Sequence, residues 1–355
     1  MKKFIIALIV IALLGIAVYS LRARIAERIM IMGLDNRMGS NIIDTFEDGL
    51  HLTLCGAGGP MPAPNASGPC VAVVAGERLF VVDAGTDGVR NLGRMGYPAG
   101  AIEAVFLTHF HSDHIDGLGE LATLRWVSAG NDEPLPVYGP VGVSKVTNGF
   151  NTAYGQDFSY RHAHHGNSVA PLSGAGMQAM PFPLPKMGEL ETLVDDGDLQ
   201  IQALTVGHSP IDAAVGYKFS YKGRSLLITG DTVKMANIEL FAEGVDLLVH
   251  EALAPNLLIM MNEAAQKIGN ETMAKITRDV LDYHTSPVEA AETARDAKVG
   301  HLLYYHIVPP LIFPGQEALF LNGADDIFVD YTVGRDGTTF FLPAGTDAII
   351  REQLM

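Results

Sequence analysis

Thr108-His109-Phe110-His111-Ser112-Asp113-His114 sits directly behind the apolar run Ala104-Val105-Phe106-Leu107. The six residues from His109 to His114 carry four potential metal ligands. In a tight loop after a strand, His109 and His111 can turn to one point while Asp113 and His114 turn to a second. Imidazole and carboxylate donors suit zinc, iron or manganese rather than calcium or magnesium. A hydrophobic core has no use for such a cluster, because each buried polar group needs a partner. Four ligands cannot saturate two ions, so the rest must come from elsewhere in the chain.

The same kind of position recurs farther out. His208 follows a strand-like LTVG run, Asp231 follows LLITG, His250-Glu251 follows DLLV, and His306 follows LLYY. Side chains at the carboxyl ends of strands gather on one edge of a sheet, where α/β folds build their sites. Asp231 has two carboxylate oxygens and can bridge two ions. The lone His51 and His301 read as structural. Period-2 apolar runs between turn residues predict strands from residue 51 to 109 and from 199 to 252, and LLYYH at 302–306 predicts another. Residues 115–128 and most of 255–300 predict helices. Residues 129–200 are the least regular, and residues 328–345 predict a closing hairpin. Arg161, His164 and His165, in that irregular stretch, are candidate contacts to an anionic substrate. Trp126, Phe313 and the Pro-rich 308–314 segment are candidate walls of an apolar pocket.

HFHSDH resembles the HxHxDH signature of the metallo-β-lactamase superfamily. FVVDAG with Asp83, GHSP with His208, ITGDT with Asp231 and YYH with His306 are similar to its other motifs, in the same order. The resemblance implies an αββα sandwich with a binuclear metal edge, an α/β fold. Within the superfamily the chain is similar to the ribonuclease Z and type III arylsulfatase branch. Gly56-Ala57-Gly58-Gly59-Pro60-Met61-Pro62, Leu248-Val249-His250-Glu251-Ala252 and His284-Thr285-Ser286 carry that likeness. It implies that one metal takes His109, His111 and His208, that the other takes Asp113, His114 and His306, and that Asp231 bridges. A hydroxide between the ions is then the nucleophile, with Asp113, His284 and Glu251 as the catalytic groups. Two divalent ions are expected, zinc first, manganese or iron next.

Composition bounds the rest. The chain has 355 residues, 48% hydrophobic and 18% charged, with a net charge of −16. That apolar excess excludes a disordered chain. Lys2 and Lys3 precede 18 uncharged residues, Phe4 to Leu21, long enough to span about 27 Å as a helix. We expect a signal anchor and its extension over 1–33, a linker over 34–48, and one hydrolase domain over 49–355. A cleaved signal peptide is the competing reading of the first segment. Either one places the body in the periplasm or outside the cell. Cys55 and Cys70 fit an oxidising compartment, as a bridge or as two buried thiols. The first 30 residues hold five of the 24 basic side chains and one of the 40 acidic, which leaves −20 on the rest.

That charge disfavours a phosphate backbone as partner. His208 and Asp231 are only 23 positions apart, too close for the tRNA-clamping arm of ribonuclease Z enzymes. Asn65-Ala66-Ser67 stands where the branch carries an arginine. The sequence therefore predicts a hydrolase of a small anionic ester, a phosphodiester or sulfate ester, with nucleic acid an unexpected partner. A tRNA 3′-endonuclease, a lactonase or lactamase, and a non-catalytic membrane-tethered metal-binding protein are the alternatives.

Overall fold

The computed structural model describes residues 2–37, 39 and 41–355. It divides into two units, residues 1–42 and 43–355. The first is essentially one helix, α1 (Lys2–Arg37), without an acidic residue in its first turn. Its segment Lys2–Leu34 is, among the described residues, the one helix long and apolar enough to cross a membrane. The helix runs past the expected end at residue 33. The expected linker also differs from what is seen. Ile43 is buried and Phe46 sets its ring edge-on against His51 and Phe341, so the second unit starts before residue 49.

The second unit is a two-sheet sandwich. Its strands are β1 (Gly49–Gly56), β2 (Cys70–Ala75), β3 (Arg78–Val82), β4 (Ile102–Phe106), β5 (Leu135–Gly139), β6 (Met177–Pro181), β7 (Glu191–Asp195), β8 (Leu199–Thr205), β9 (Val215–Tyr221), β10 (Arg224–Ile228), β11 (Leu247–Leu253), β12 (His301–Val308), β13 (Tyr331–Val333), β14 (Thr338–Pro343) and β15 (Ile350–Gln353). One sheet runs β15-β14-β1-β2-β3-β4-β5-β6 and the other β13-β12-β11-β10-β9-β8-β7. Leu52, Val73, Phe80 and Phe106 of the first interdigitate with Ile201, Phe219, Ile228 and Leu303 of the second. Packing of this kind supplies the main drive to fold.

Helices cover both outer faces: α2 (Gly88–Met95), α3 (Ser112–Ile115), α4 (Leu118–Ala129) and α5 (Val143–His165) on the first, α6 (Ala236–Ala242), α7 (Pro255–Lys267), α8 (Glu271–Asp279), α9 (Pro287–Asp296) and α10 (Gln316–Phe320) on the second. Val206, Leu248, Leu302 and Tyr304 pack outward against Ile238, Ala291 and Phe320. The αββα architecture follows. Two sequence expectations fail. Residues 143–165 form a helix, although Gly149, Gly155 and many polar residues hide any apolar stripe. Residues 328–345 make no hairpin: β13 joins β12 in one sheet, while β14 joins β1 and β15 in the other.

Cys55 and Cys70 are disulfide-bonded across the β1–β2 pair, with Cα atoms 5.0 Å apart. His51 bonds the Glu47 carbonyl and the Leu342 amide, and His301 bonds Thr332, so both are structural as expected.

Candidate metal centre

Parallel strands β3, β4 and β5 and the β10–β11–β12 run bring their carboxyl ends to one edge of the sandwich. His109 and His111 leave β4, His208 leaves β8, Asp231 leaves β10, and His306 lies near the end of β12. A register shift opposite Glu251 and Ala252 places His306 at φ +44°, re-aiming its ring onto the edge. Bulges commonly do this beside active sites.

Two donor groups result. His109, His111, His208 and Asp231 offer atoms that all lie within 4.8 Å of one another, and so do Asp113, His114 and His306. His111 Nδ1 is 3.0 Å from His109 Nε2 and 3.4 Å from His208 Nε2. Asp231 Oδ2 lies 3.9 Å from His109 Nε2, 3.8 Å from His208 Nε2 and 3.4 Å from His306 Nε2, while Oδ1 lies 3.5 Å from His114 Nε2. His306 Nε2 is 3.3 Å from Asp113 Oδ2. A tetrahedral zinc site with bonds of 2.0–2.2 Å has donor–donor edges of about 3.3–3.6 Å. His114 Nε2 and Asp231 Oδ1 are buried without a hydrogen bond, which a coordinated ion would satisfy. The residues fit two divalent ions sharing Asp231.

Surrounding groups fix these donors. Asp83 accepts from the Thr108 amide and hydroxyl, 2.8 Å each, and its Oδ2 lies 2.8 Å from His114 Nδ1. His208 Nδ1 donates to the Tyr283 carbonyl at 2.9 Å. Glu251, fully buried, accepts from His284 Nδ1 at 3.1 Å and from the Thr285 and Thr232 amides. Such partners orient metal-binding imidazoles and set their tautomers. Burial lowers the pKa of His109, His111 and His208, which keeps each imidazole in the neutral form that ligates metals. For Asp231, burial works toward protonation, but His306 and His114 outweigh it and hold the carboxyl well below its usual value. His284 is opposite in character. Burial opposes its charge, yet Glu251 overrides this and raises its pKa to about 9. A ring nitrogen of His284 lies within 4.8 Å of donors on Asp231 and His306.

Close backbone contacts complete the edge. A Cβ on Gly85 would meet the Asp113 carbonyl at 2.4 Å, and one on Gly59 would come within 3.0 Å of His306 Cε1. Asp336 accepts from the Ala57 and Ser67 amides and from Asn91, tying down the 57–67 loop. Sequence reasoning missed Asp336, which is 279 residues from Ala57 and carries no local signal. It also left Asp83 without a role, although FVVD at a strand end was the available clue.

Arg161, His164 and His165 do not reach the edge. They close α5 beside residues that pack on the end of α4: Gly130 against Ser168, and Trp126 Nε1 donating to Pro171. The metal edge lies by the start of α5, where a Cβ on Gly139 or Gly142 would meet Phe110. Arg161 pairs with Asp157, and His162 with the Ala170 carbonyl. Trp126 is likewise core, packed on Phe158, whereas Phe313 and its neighbours do line a pocket.

Residues 64–314 match the model of the metallo-beta-lactamase superfamily. The chain is 34% identical over 270 residues to a ribonuclease Z of Mycobacterium sp. (strain KMS), covering 76% of this chain and 87% of that one. Its fold is similar to that of the short form of human tRNase Z, with a TM-score of 0.55, 21% identity, and 82% and 99% of the two chains covered. The metallo-beta-lactamase fold protein YhfI from Bacillus subtilis is similar at a TM-score of 0.57 and 20% identity, over 82% and 99% of the two chains. The chain belongs to the metallo-β-lactamase superfamily of hydrolases. Within it, the chain falls in the ribonuclease Z-like branch.

Proposed function

We propose that the chain is a metal-dependent phosphodiesterase. The carrying observation is the pair of donor groups sharing Asp231, with His284, held by Glu251, beside them. His109, His111 and His208 would hold one ion, Asp113, His114 and His306 the other, with Asp231 common to both. Divalent ions there supply Lewis acidity toward the phosphoryl oxygens and lower the pKa of water. Asp113, whose side chain is 15% exposed, orients the attacking water and takes its proton. His284, protonated and held by Glu251, donates its Nε2 proton to the departing ester oxygen. One P–O bond forms to water, one P–O bond to the leaving alcohol breaks, and a phosphomonoester remains.

The relatives named ribonuclease Z support phosphodiester over sulfate ester, and they favour a second reading, cleavage of RNA at tRNA 3′ ends. Against this stand the −20 balance of residues 31–355 and the plain β9–β10 hairpin filling the space between His208 and Asp231. Zinc is the proposed metal. α1 as a membrane anchor and the disulfide together support a body on the periplasmic or extracellular side. A panel of chromogenic phosphodiester, phosphomonoester, sulfate ester and lactone substrates, with and without chelator, tests the reaction. Chelator-sensitive turnover of the diester is expected. A preference for sulfate ester or lactone would sink the proposal, and turnover of pre-tRNA without any small diester would replace it with the second reading.

A further inference from the structure

Beside the metal edge lies a groove of about 330 Å³, within the size range of ligand sites. Ala63, Ala66, Ile307, Pro310, Ile312 and Phe313 form much of its wall. The polar side chains among its lining residues are Asn65, Glu317 and Arg335, and the last two are paired at 3.0 Å. The groove adjoins the centre through shared backbone. Ile307 follows His306 directly and donates its amide to the Ala57 carbonyl, and Gly59 of the same loop lies against the His306 ring.

The groove's lip is apolar and exposed. Ile312 is 50% and Phe313 69% exposed. Leu319 of α10 and Met260 of α7 continue the surface: Asn256, one turn before Met260, donates to the Leu319 carbonyl. Water alone gives no reason to gather such side chains at the lip of a groove, and patches of this kind mark contact with something apolar. The same chain carries a helix able to span a bilayer. A tether of this kind holds a body at high effective concentration of lipid, and aliphatic and aromatic side chains insert at the headgroup boundary.

We infer that the substrate is an amphiphilic phosphodiester drawn from the bilayer, its phosphate at the edge where the two donor groups would hold the ions and an alkyl or acyl chain in the groove. The inference rests on the phosphodiesterase reading and narrows it. Hydrolysis runs as above: water adds to phosphorus, the alcohol leaves with the proton from His284, and the chain stays on whichever product carries it.

The test uses the metal-loaded full-length chain in detergent and a series of p-nitrophenyl alkyl phosphates from methyl to dodecyl, each below its micelle threshold. Each buried methylene should raise kcat/KM, by up to about fourfold, until the groove is full. Ile312→Asp and Phe313→Asp should flatten the series, with circular dichroism and melting checked in parallel. A flat series from the unaltered chain, with the methyl ester still turned over, overturns the inference and leaves the phosphodiesterase standing. A series that keeps its slope in both folded variants also overturns it. Turnover of no diester brings down the parent reading itself. Pre-tRNA cleaved more efficiently than the longest ester gives the site to RNA instead.

Discussion

At the scale of single residues, the proposed function separates groups that hold metal from one that transfers a proton. Asp231→Ala removes the carboxylate shared by both donor groups, so metal content and turnover should fall together, as elemental analysis beside an assay would show. His284→Ala should retain metal while kcat drops by roughly 10²–10⁴, the usual scale for one acid–base group. A His284→Ala chain at full rate would refute its assigned role. The donors were legible because imidazoles and carboxylates at strand ends have few other uses. The Arg161–His165 cluster misled for a plain reason. Residues adjacent in sequence share a helix end, but sequence does not say which end faces the site. Asp336 was invisible because its partners are fixed by sheet order, which no local pattern encodes.

Among elements, the junction before α9 matters most. Ser286 and Glu289 form a reciprocal capping box, with Pro287 opening the helix. Ser286→Ala should cost about 1 kcal/mol, about 2 °C in Tm by calorimetry. It should also lower kcat more than KM, because His284 stands two residues upstream. On β12, burial pushes the pKa of His301 down to about 4 from the usual 6.5. Its neutral form therefore stabilises the fold fully above pH 6.5, and that contribution is lost as pH falls toward 4. His301→Gln should flatten the fall of Tm between those limits in a pH series; an equally steep fall would contradict this. Strands with period-2 apolar runs were readable one by one. Their partners were not: β13 and β14 are near neighbours in sequence yet join different sheets, because each fills a different edge. α5 escaped notice because tertiary packing, not propensity or an apolar stripe, holds it.

Over the whole molecule, the apolar excess of the composition resolves into two places, α1 and the interior of the sandwich. Membranes isolated from an expressing cell should retain the full-length chain after a high-salt wash and release it with detergent. Thiol-reactive reagent should find Cys55 and Cys70 blocked until reduction. A chain in the soluble fraction with two free thiols would remove the exported placement. The membership of the fold was legible from five short motifs, and the groove was not, because it is assembled from segments some 250 residues apart.

The position of β14 bears on how the molecule is made. β14 is the second flank of β1, and Asp336, just before it, fastens the 57–67 loop. The last donor of the metal edge, His306, is synthesised some thirty residues earlier. During that interval the nascent chain carries its ligands while the β1 edge, Leu50–Thr53, has no β14 to pair with, the kind of open edge that recruits foreign strands. A ribosome that stops short of β14 therefore yields not a smaller hydrolase but a sticky one.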